Sequence, residues 1–296
     1  MTTTNPTRCS HSVLTYHTGN TTGVLLNTAN YPAYLNYTIN TWTFDGTNWT
    51  LSTGAQPSVR VQAAMGYDQT STVLFGGHNY STYLQDTWLW DGTNWTLAAP
   101  ANNPTARARH TMVGLAGNSS VVLFGGTLQD RGLLNETWIW QTGNWTNMTP
   151  SPTSTTNSPP GRLDAAMAAT AATVLLFGGK SGDRELNDTW KWDGVSWTQL
   201  TPTASPGIRS EHALACDGTN YILFGGKVAD RRLNDTWVFN GTTWTKQSPV
   251  TSPSVRSGAQ MVYHAALGKT VLFGGEDGLG NLNDTWAWDG TNWTQL

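Results

Sequence analysis

The sequence predicts an all-β chain folded as a six-bladed β-propeller of four-stranded antiparallel blades, and three observations predict it. All 16 tryptophans fall inside one phrase, Thr-Trp-x-(Trp/Phe)-x-Gly-x-x-Trp with small variations, written six times along the 296 residues. Its leading Trp recurs at Trp42, Trp88, Trp138, Trp190, Trp237 and Trp286, a period of about 50 residues, which is the length of a propeller blade. Each repeat divides into four β-like runs separated by turn signals, with no helical periodicity between them. The repeats run approximately over 8–51, 60–97, 107–148, 162–200, 209–247 and 256–296, so residues 1–296 read as a single propeller domain.

The first run of each repeat follows a Pro- or Gly-bearing loop and opens on an arginine: Arg8, Arg60, Arg107, Arg162, Arg209 and Arg256. The second is apolar throughout and ends in Gly-Gly, as in Val121-Val-Leu-Phe-Gly-Gly126. A strand apolar on both faces is expected to be buried on both. The third run, Asn-Asp-Thr-Trp-x-Trp in its fullest form at 187–192 and 283–288, places two aromatic positions on one face, because side chains alternate with period two. Asp-Gly, Asn-Gly or Thr-Gly then predicts a tight hairpin, since positive φ is cheap there. The fourth run, Asn-Trp-Thr-x-Leu or a relative, returns antiparallel and sets its Trp against the aromatic pair.

One such sheet cannot cover its own faces; six around an axis can. At about 25 cal/mol per Å2 and about 150–250 Å2 per ring, each buried Trp offers about 4–6 kcal/mol of gross transfer energy. The Trp series is read as structural.

The Arg-x-x-His opening, the apolar strand ending in Gly-Gly, the Asn-Asp-Thr-Trp phrase and the distal Trp closely resemble the kelch repeat over about residues 8–296. The resemblance implies an innermost Arg-led strand and an outermost Trp-Thr-x-Leu strand. The first repeat departs from the pattern, reading Val24-Leu-Leu-Asn-Thr-Ala-Asn30 where Gly-Gly is expected. Kelch rings commonly close by mixing strands from both termini. Here the text begins with a first strand and stops with a fourth, so blades in phase with repeats are expected, joined by side-chain packing between the first and last.

Composition excludes several functions. Net charge is -3 with 12% charged residues, so there is no basic footprint for nucleic acid. No apolar run approaches the length of a membrane span, and the N-terminus lacks a signal-peptide pattern; a soluble cytoplasmic or virion-associated protein is the expectation. Cys9 and Cys216 occupy non-equivalent positions and read as free thiols. No metal or cofactor motif is found, and none is expected to bind.

The resemblance implies that the six leading arginines stand near the mouth of the central channel. Kelch adaptors hold acidic peptides on such arginines, and arginine is implicated in the six-bladed sialic acid mutarotases of the family. Two readings stand: a ring of guanidinium forks for a carboxylate ligand, or pairing of each Arg with the repeated acid, Asp86, Glu136, Asp188, Asp235 or Asp284. Recurrence in every repeat favours the second, because a ligand site is normally asymmetric.

Two positions after each Arg stand Ser10, Gln62, Arg109, Asp164, Glu211 and Gly258, which alternation places on the Arg face toward the channel. Arg109, Asp164 and Glu211 are the best asymmetric candidates, with an ion-pair network favoured over catalysis. Alternation puts Val13, Met65, Met112, Met167, Leu214 and Met261 on the packed face, together with His11, His110 and His212. Variation concentrates in the loops after Gly-Gly, where Tyr31, Tyr34, Tyr37, Tyr80 and Tyr83 suit sugar stacking or protein contact. The leading expectation is a non-catalytic recognition or assembly module for a protein or glycan, for instance in a virion or surface appendage. The alternatives are a small-molecule enzyme resembling the mutarotases, with Glu211 or Asp164 moving protons, and an adaptor for an acidic peptide.

Overall fold

The computed structural model describes residues 5–8, 12–19, 21–30, 37–130, 132–150 and 158–296. Six four-stranded antiparallel sheets stand around a central channel, and each takes its strands from one repeat. The first blade is built of Val13–His17, Thr22–Asn30, Tyr37–Phe44 and Trp49–Leu51, and the sixth of Gln260–His264, Lys269–Phe273, Thr285–Trp288 and Trp293–Gln295. The ring therefore closes without exchanging strands between its ends. Val13–His17 packs beside both Ala64–Tyr67 of the second blade and Gln260–His264 of the sixth.

The apolar second strands are buried on both faces: Val73, Leu74 and Phe75 have no exposed surface. Six apolar clusters fill the seams between neighbouring blades. One joins Leu115, Val122 and Phe124 to Trp190, Trp192 and Trp197; the closing seam sets Leu25, Trp42, Phe44 and Trp49 against Val271 and Phe273. The fourth-strand Trp pairs directly with the second aromatic of the third strand, as in Trp90 with Trp95 and Trp288 with Trp293, with ring centres 5.5 and 5.4 Å apart.

The threonine of the repeated phrase has a role that packing alone does not reveal. Each fourth-strand indole N–H crosses a seam and donates to the Thr hydroxyl of the preceding blade. Trp95 reaches Thr41 (2.7 Å), Trp145 Thr87 (2.9 Å), Trp197 Thr137 (2.8 Å), Trp244 Thr189 (3.1 Å) and Trp293 Thr236 (2.9 Å). Trp49 closes the circle on Thr285 at 3.0 Å. A buried N–H would otherwise lose its hydrogen bond to water, so every seam gains a partner for its largest ring as well as apolar contact.

The turn after the third strand is longer than the expected tight hairpin. Residues 45–48 separate the strands of the first blade, and Asp45 Oδ1 accepts the N–H groups of Thr47 and Asn48 at 2.8 and 2.7 Å, while Gly46 takes φ +102°. The Asp thus shapes the loop through its side chain, and the Gly supplies the positive φ.

Candidate functional site

Five of the six leading arginines are enclosed within their own blades. The side chains of Arg60, Arg107, Arg162, Arg209 and Arg256 are between 0 and 3% exposed, and each pairs with the acid that precedes its own third strand. Arg162 donates Nη1 to Asp188 Oδ1 at 2.6 Å and Nη2 to Oδ2 at 2.7 Å, gives Nη1 also to the carbonyl of Gly178 (2.8 Å), and gives Nε to that of Pro160 (3.1 Å). Trp190 Nε1 donates to the same carboxylate at 2.7 Å. The arginine fork therefore ties the inter-blade loop, the end of the second strand and the start of the third into one corner. Burial alone would raise the Asp188 carboxyl, but the bonds from Arg162 and Trp190 hold it below the usual range.

The first blade lacks this corner. Asn40 stands where the others carry the acid, Arg8 is exposed with no ion pair among the described residues, and the buried Trp42 N–H meets no acceptor. Its register is also offset: Leu14 pairs with Leu25 as Met65 pairs with Leu74, so Arg8 lies one residue farther from its strand than Arg60 does.

The positions two after each arginine do reach the channel, but not on the arginine face. Gln62, Arg109, Asp164, Glu211 and Gly258 have φ of 57°, 61°, 53°, 55° and 68°. This left-handed residue breaks the two-residue alternation. The preceding Arg is turned into the blade, and the methionines beyond come to ring the channel. Backbone hydrogen bonds lace these residues across the blades: Arg109 N–H to Gln62 O (2.9 Å), Asp164 to Arg109 (3.1 Å), Glu211 to Asp164 (3.0 Å) and Gly258 to Glu211 (2.8 Å). The side chains of the mouth thus project from a fixed backbone rim. Ser10 and His11 lie outside the described residues.

The mouth cavity has a volume of about 190 Å3. In it Arg109 Nε donates to Asp164 Oδ1 at 3.0 Å and Nη2 to Oδ2; Arg109 Nη2 stands 3.8 Å from Glu211 Oε1, which also receives Lys227 Nζ at 2.7 Å. Burial pushes the Asp164 carboxyl up against the opposing pull of Arg109. Lys227, absent from the sequence candidates, arrives because the residue directly after Gly-Gly pairs in a β-bridge with the one before the left-handed position, here Ser210. The same rule brings His78 to Val61 and Glu276 to Ser257. The left-handed positions differ in every blade and their neighbours after Gly-Gly vary, as His78, Thr127, Lys180, Lys227 and Glu276, and that variation is the signal that could have found them.

Of the tyrosines, Tyr83 stacks on His78 with ring centres 5.6 Å apart, and Tyr80 stands edge-on to the same ring, half exposed. His78 Nε2 in turn meets Gln62 Oε1 at 3.2 Å. Tyr31 and Tyr34 lie outside the described residues, as does the side chain of Tyr37, whose backbone pairs with Asn30. His110 and His212 are buried edge-on to Phe75 and Phe177, and burial lowers both to about 3. Among the described residues no group of three His, Cys, Asp or Glu side chains is arranged to hold a metal. No helix among them is long and apolar enough to cross a membrane.

Comparison with known proteins places this architecture. A family model described as the KLHDC2/KLHL20/DRC7 Kelch-repeats domain matches residues 94–206 and again 194–296. Among solved structures, one described as "Structure of YjhT" superposes with a TM-score of 0.74 over 99% of this chain and 98% of that one, at 14% identity, a likeness of fold alone. Curated protein sequences give no match.

Proposed function

Since the chain belongs to the kelch-repeat family, we propose that it is a non-catalytic recognition module that takes a protein or glycan partner at the loop-bearing mouth of its channel. The observation that carries this reading is the contrast between a repeated scaffold and an unrepeated rim. The arginine corners and Trp–Thr bonds recur from blade to blade, whereas the side chains on the laced backbone rim differ in each one. In the second blade Gln62, His78, Tyr80 and Tyr83 offer aromatic and amide surface; in the blades that follow, Arg109, Asp164, Glu211 and Lys227 offer two charges of each sign. Aromatic rings beside fixed polar groups suit a sugar face or a protein loop.

The geometry gives less support to an enzyme for an acid sugar. The mouth cavity, about 190 Å3, is smaller than the roughly 300–1,000 Å3 of most small-molecule sites. Its carboxylates are already paired, Asp164 with Arg109 and Glu211 with Lys227, so no unpaired base faces an unpaired guanidinium. Titration with N-acetylneuraminate separates the readings. The recognition reading predicts no acceleration of anomer exchange in its NMR spectrum. Acceleration that disappears in Glu211→Gln would replace that reading with the enzymatic one.

A further inference from the structure

The channel has a second end, which the reading above does not use. There a cavity of about 360 Å3 opens on the side of the turns that join first and second strands. Leu14, Met65, Met112, Met167, Leu214 and Met261 line both this cavity and the mouth cavity, and all are substantially buried. They form an apolar floor that the two cavities share. Its walls carry Val113, Ala169, Ala215 and Val262, and the small side chains leave the room. Asp217 is the one charged residue among the described residues lining it, and its Oδ1 is engaged with the N–H groups of Thr219 and Asn220 at 2.8 and 2.7 Å.

The methionine floor offers water few partners and suits hydrocarbon, while Thr18, Gln69 and Thr170 bring polar groups to the side of the turns. Two polar groups are positioned to orient a guest. Tyr16 and Tyr67 line the wall, and each phenol oxygen accepts a backbone N–H, from Ala266 at 3.4 Å and from Gly19 at 3.3 Å. Each hydroxyl proton is thereby left to donate. The volume falls within the range of small-ligand sites, and a methionine floor adapts to the shape of a ring or branched chain.

We propose that this far cavity is a binding site for a small uncharged molecule with an apolar, ring-sized body and an oxygen acceptor. The proposal is independent of what binds at the mouth.

The test uses the intact chain with 13C-methyl methionine and acetophenone as the probe, benzoate being its charged counterpart. Acetophenone is expected to shift the methyl signals of Met65, Met112, Met167 and Met261 saturably, leaving Met148, which packs in the seam between the third and fourth blades, unmoved. Benzoate is expected to leave all five in place. Thr15→Trp, which fills the cavity, should weaken the effect by about tenfold or more, and Gln62→Trp at the opposite mouth should not. Should Thr15→Trp fail to fold, Val262→Trp takes its place. In the wild type, acetophenone should slow iodoacetamide alkylation of Cys216, a wall residue, as read by mass spectrometry of its peptide. The absence of saturable shifts, equal shifts by benzoate, shifts that survive filling but are lost in Gln62→Trp, or unchanged Cys216 alkylation would each overturn the proposal.

Discussion

Trp49 on the first blade donates its indole N–H to the hydroxyl of Thr285 on the sixth, at 3.0 Å and across 236 positions of sequence. The same bond seals the five other seams, so the joint between the chain's two ends is built like those within it. Closure is thereby a property of the repeat itself, with a small addition from the N-terminal segment, where Asn283 Nδ2 meets the Pro6 carbonyl at 3.5 Å.

Thr285→Val keeps the shape of the side chain and removes the acceptor. A buried indole N–H left unmet costs about 1–3 kcal/mol. Urea unfolding should show a loss of that size for Thr285→Val and a similar one for Thr189→Val at an interior seam. An unchanged midpoint for both would mean that the bonds add nothing to the packing.

The arginine corners should behave as stability elements. Arg162→Met leaves the Asp188 carboxylate with only the Trp190 indole of its side-chain donors and strips the Pro160 and Gly178 carbonyls of theirs, and breaking a buried pair of this kind costs about 3–5 kcal/mol. Arg8→Ala, at an exposed site without an acid partner among the described residues, should fall within about 0.5 kcal/mol of wild type. Thermal melts of the two variants decide the matter; comparable losses would contradict the structural assignment.

Acid stability carries the signature of the buried histidines. Burial first, then the neighbouring Arg107 and Arg209 guanidiniums, hold His110 and His212 near 3, whereas an unfolded His titrates at about 6.5. Between those values the unfolded chain takes up protons that the folded one refuses, so stability falls as pH falls. The slope approaches about 1.4 kcal/mol per pH unit for each His. His110→Ala with His212→Ala, copying Ala63, Ala165 and Ala259 of the other blades, should flatten the pH dependence of urea unfolding between about pH 6.5 and 5. A slope equal to wild type would remove this explanation.

A second acid transition belongs to the corner carboxylates. Burial opposes ionisation of Asp86, Asp188, Asp235, Asp284 and Glu136, but their Arg and Trp donors more than offset it and depress them all. Their contribution is complete above the ordinary carboxylate value near 4 and is lost as pH falls through the depressed values. Arg162→Met should shrink this lower transition and leave the histidine-dependent one in place.

Blade number, strand order and the aromatic seams were legible in the sequence because they depend on local periodicity repeated six times. The acid partners of the five paired arginines were also legible, since both residues of each pair belong to one repeat. Legibility stopped where a single left-handed residue broke the alternation: Arg162 and Asp164 were placed on one face, yet the first is locked inside the blade and the second faces the channel. Lys227 was missed for a different reason. Its ion pair with Glu211 depends on a bridge between two loops that spacing does not announce. The offset of the first blade was hidden as well, because Val13 matches the spacing of Met65 while Leu14 occupies its place.

The central claim is that partner recognition is carried by the unrepeated rim on a repeated scaffold. It is tested most directly by screening glycans and peptides against the wild type and against Tyr83→Ala with Lys227→Ala, two rim changes that leave every arginine corner intact. Lys246→Ala on an exposed outer strand serves as the control. The account predicts ligands whose affinity falls by about tenfold or more in the rim variant, with its melting temperature and the control's affinity unchanged. Ligands that bind the rim variant as tightly as wild type, or that are lost in Lys246→Ala instead, would contradict it.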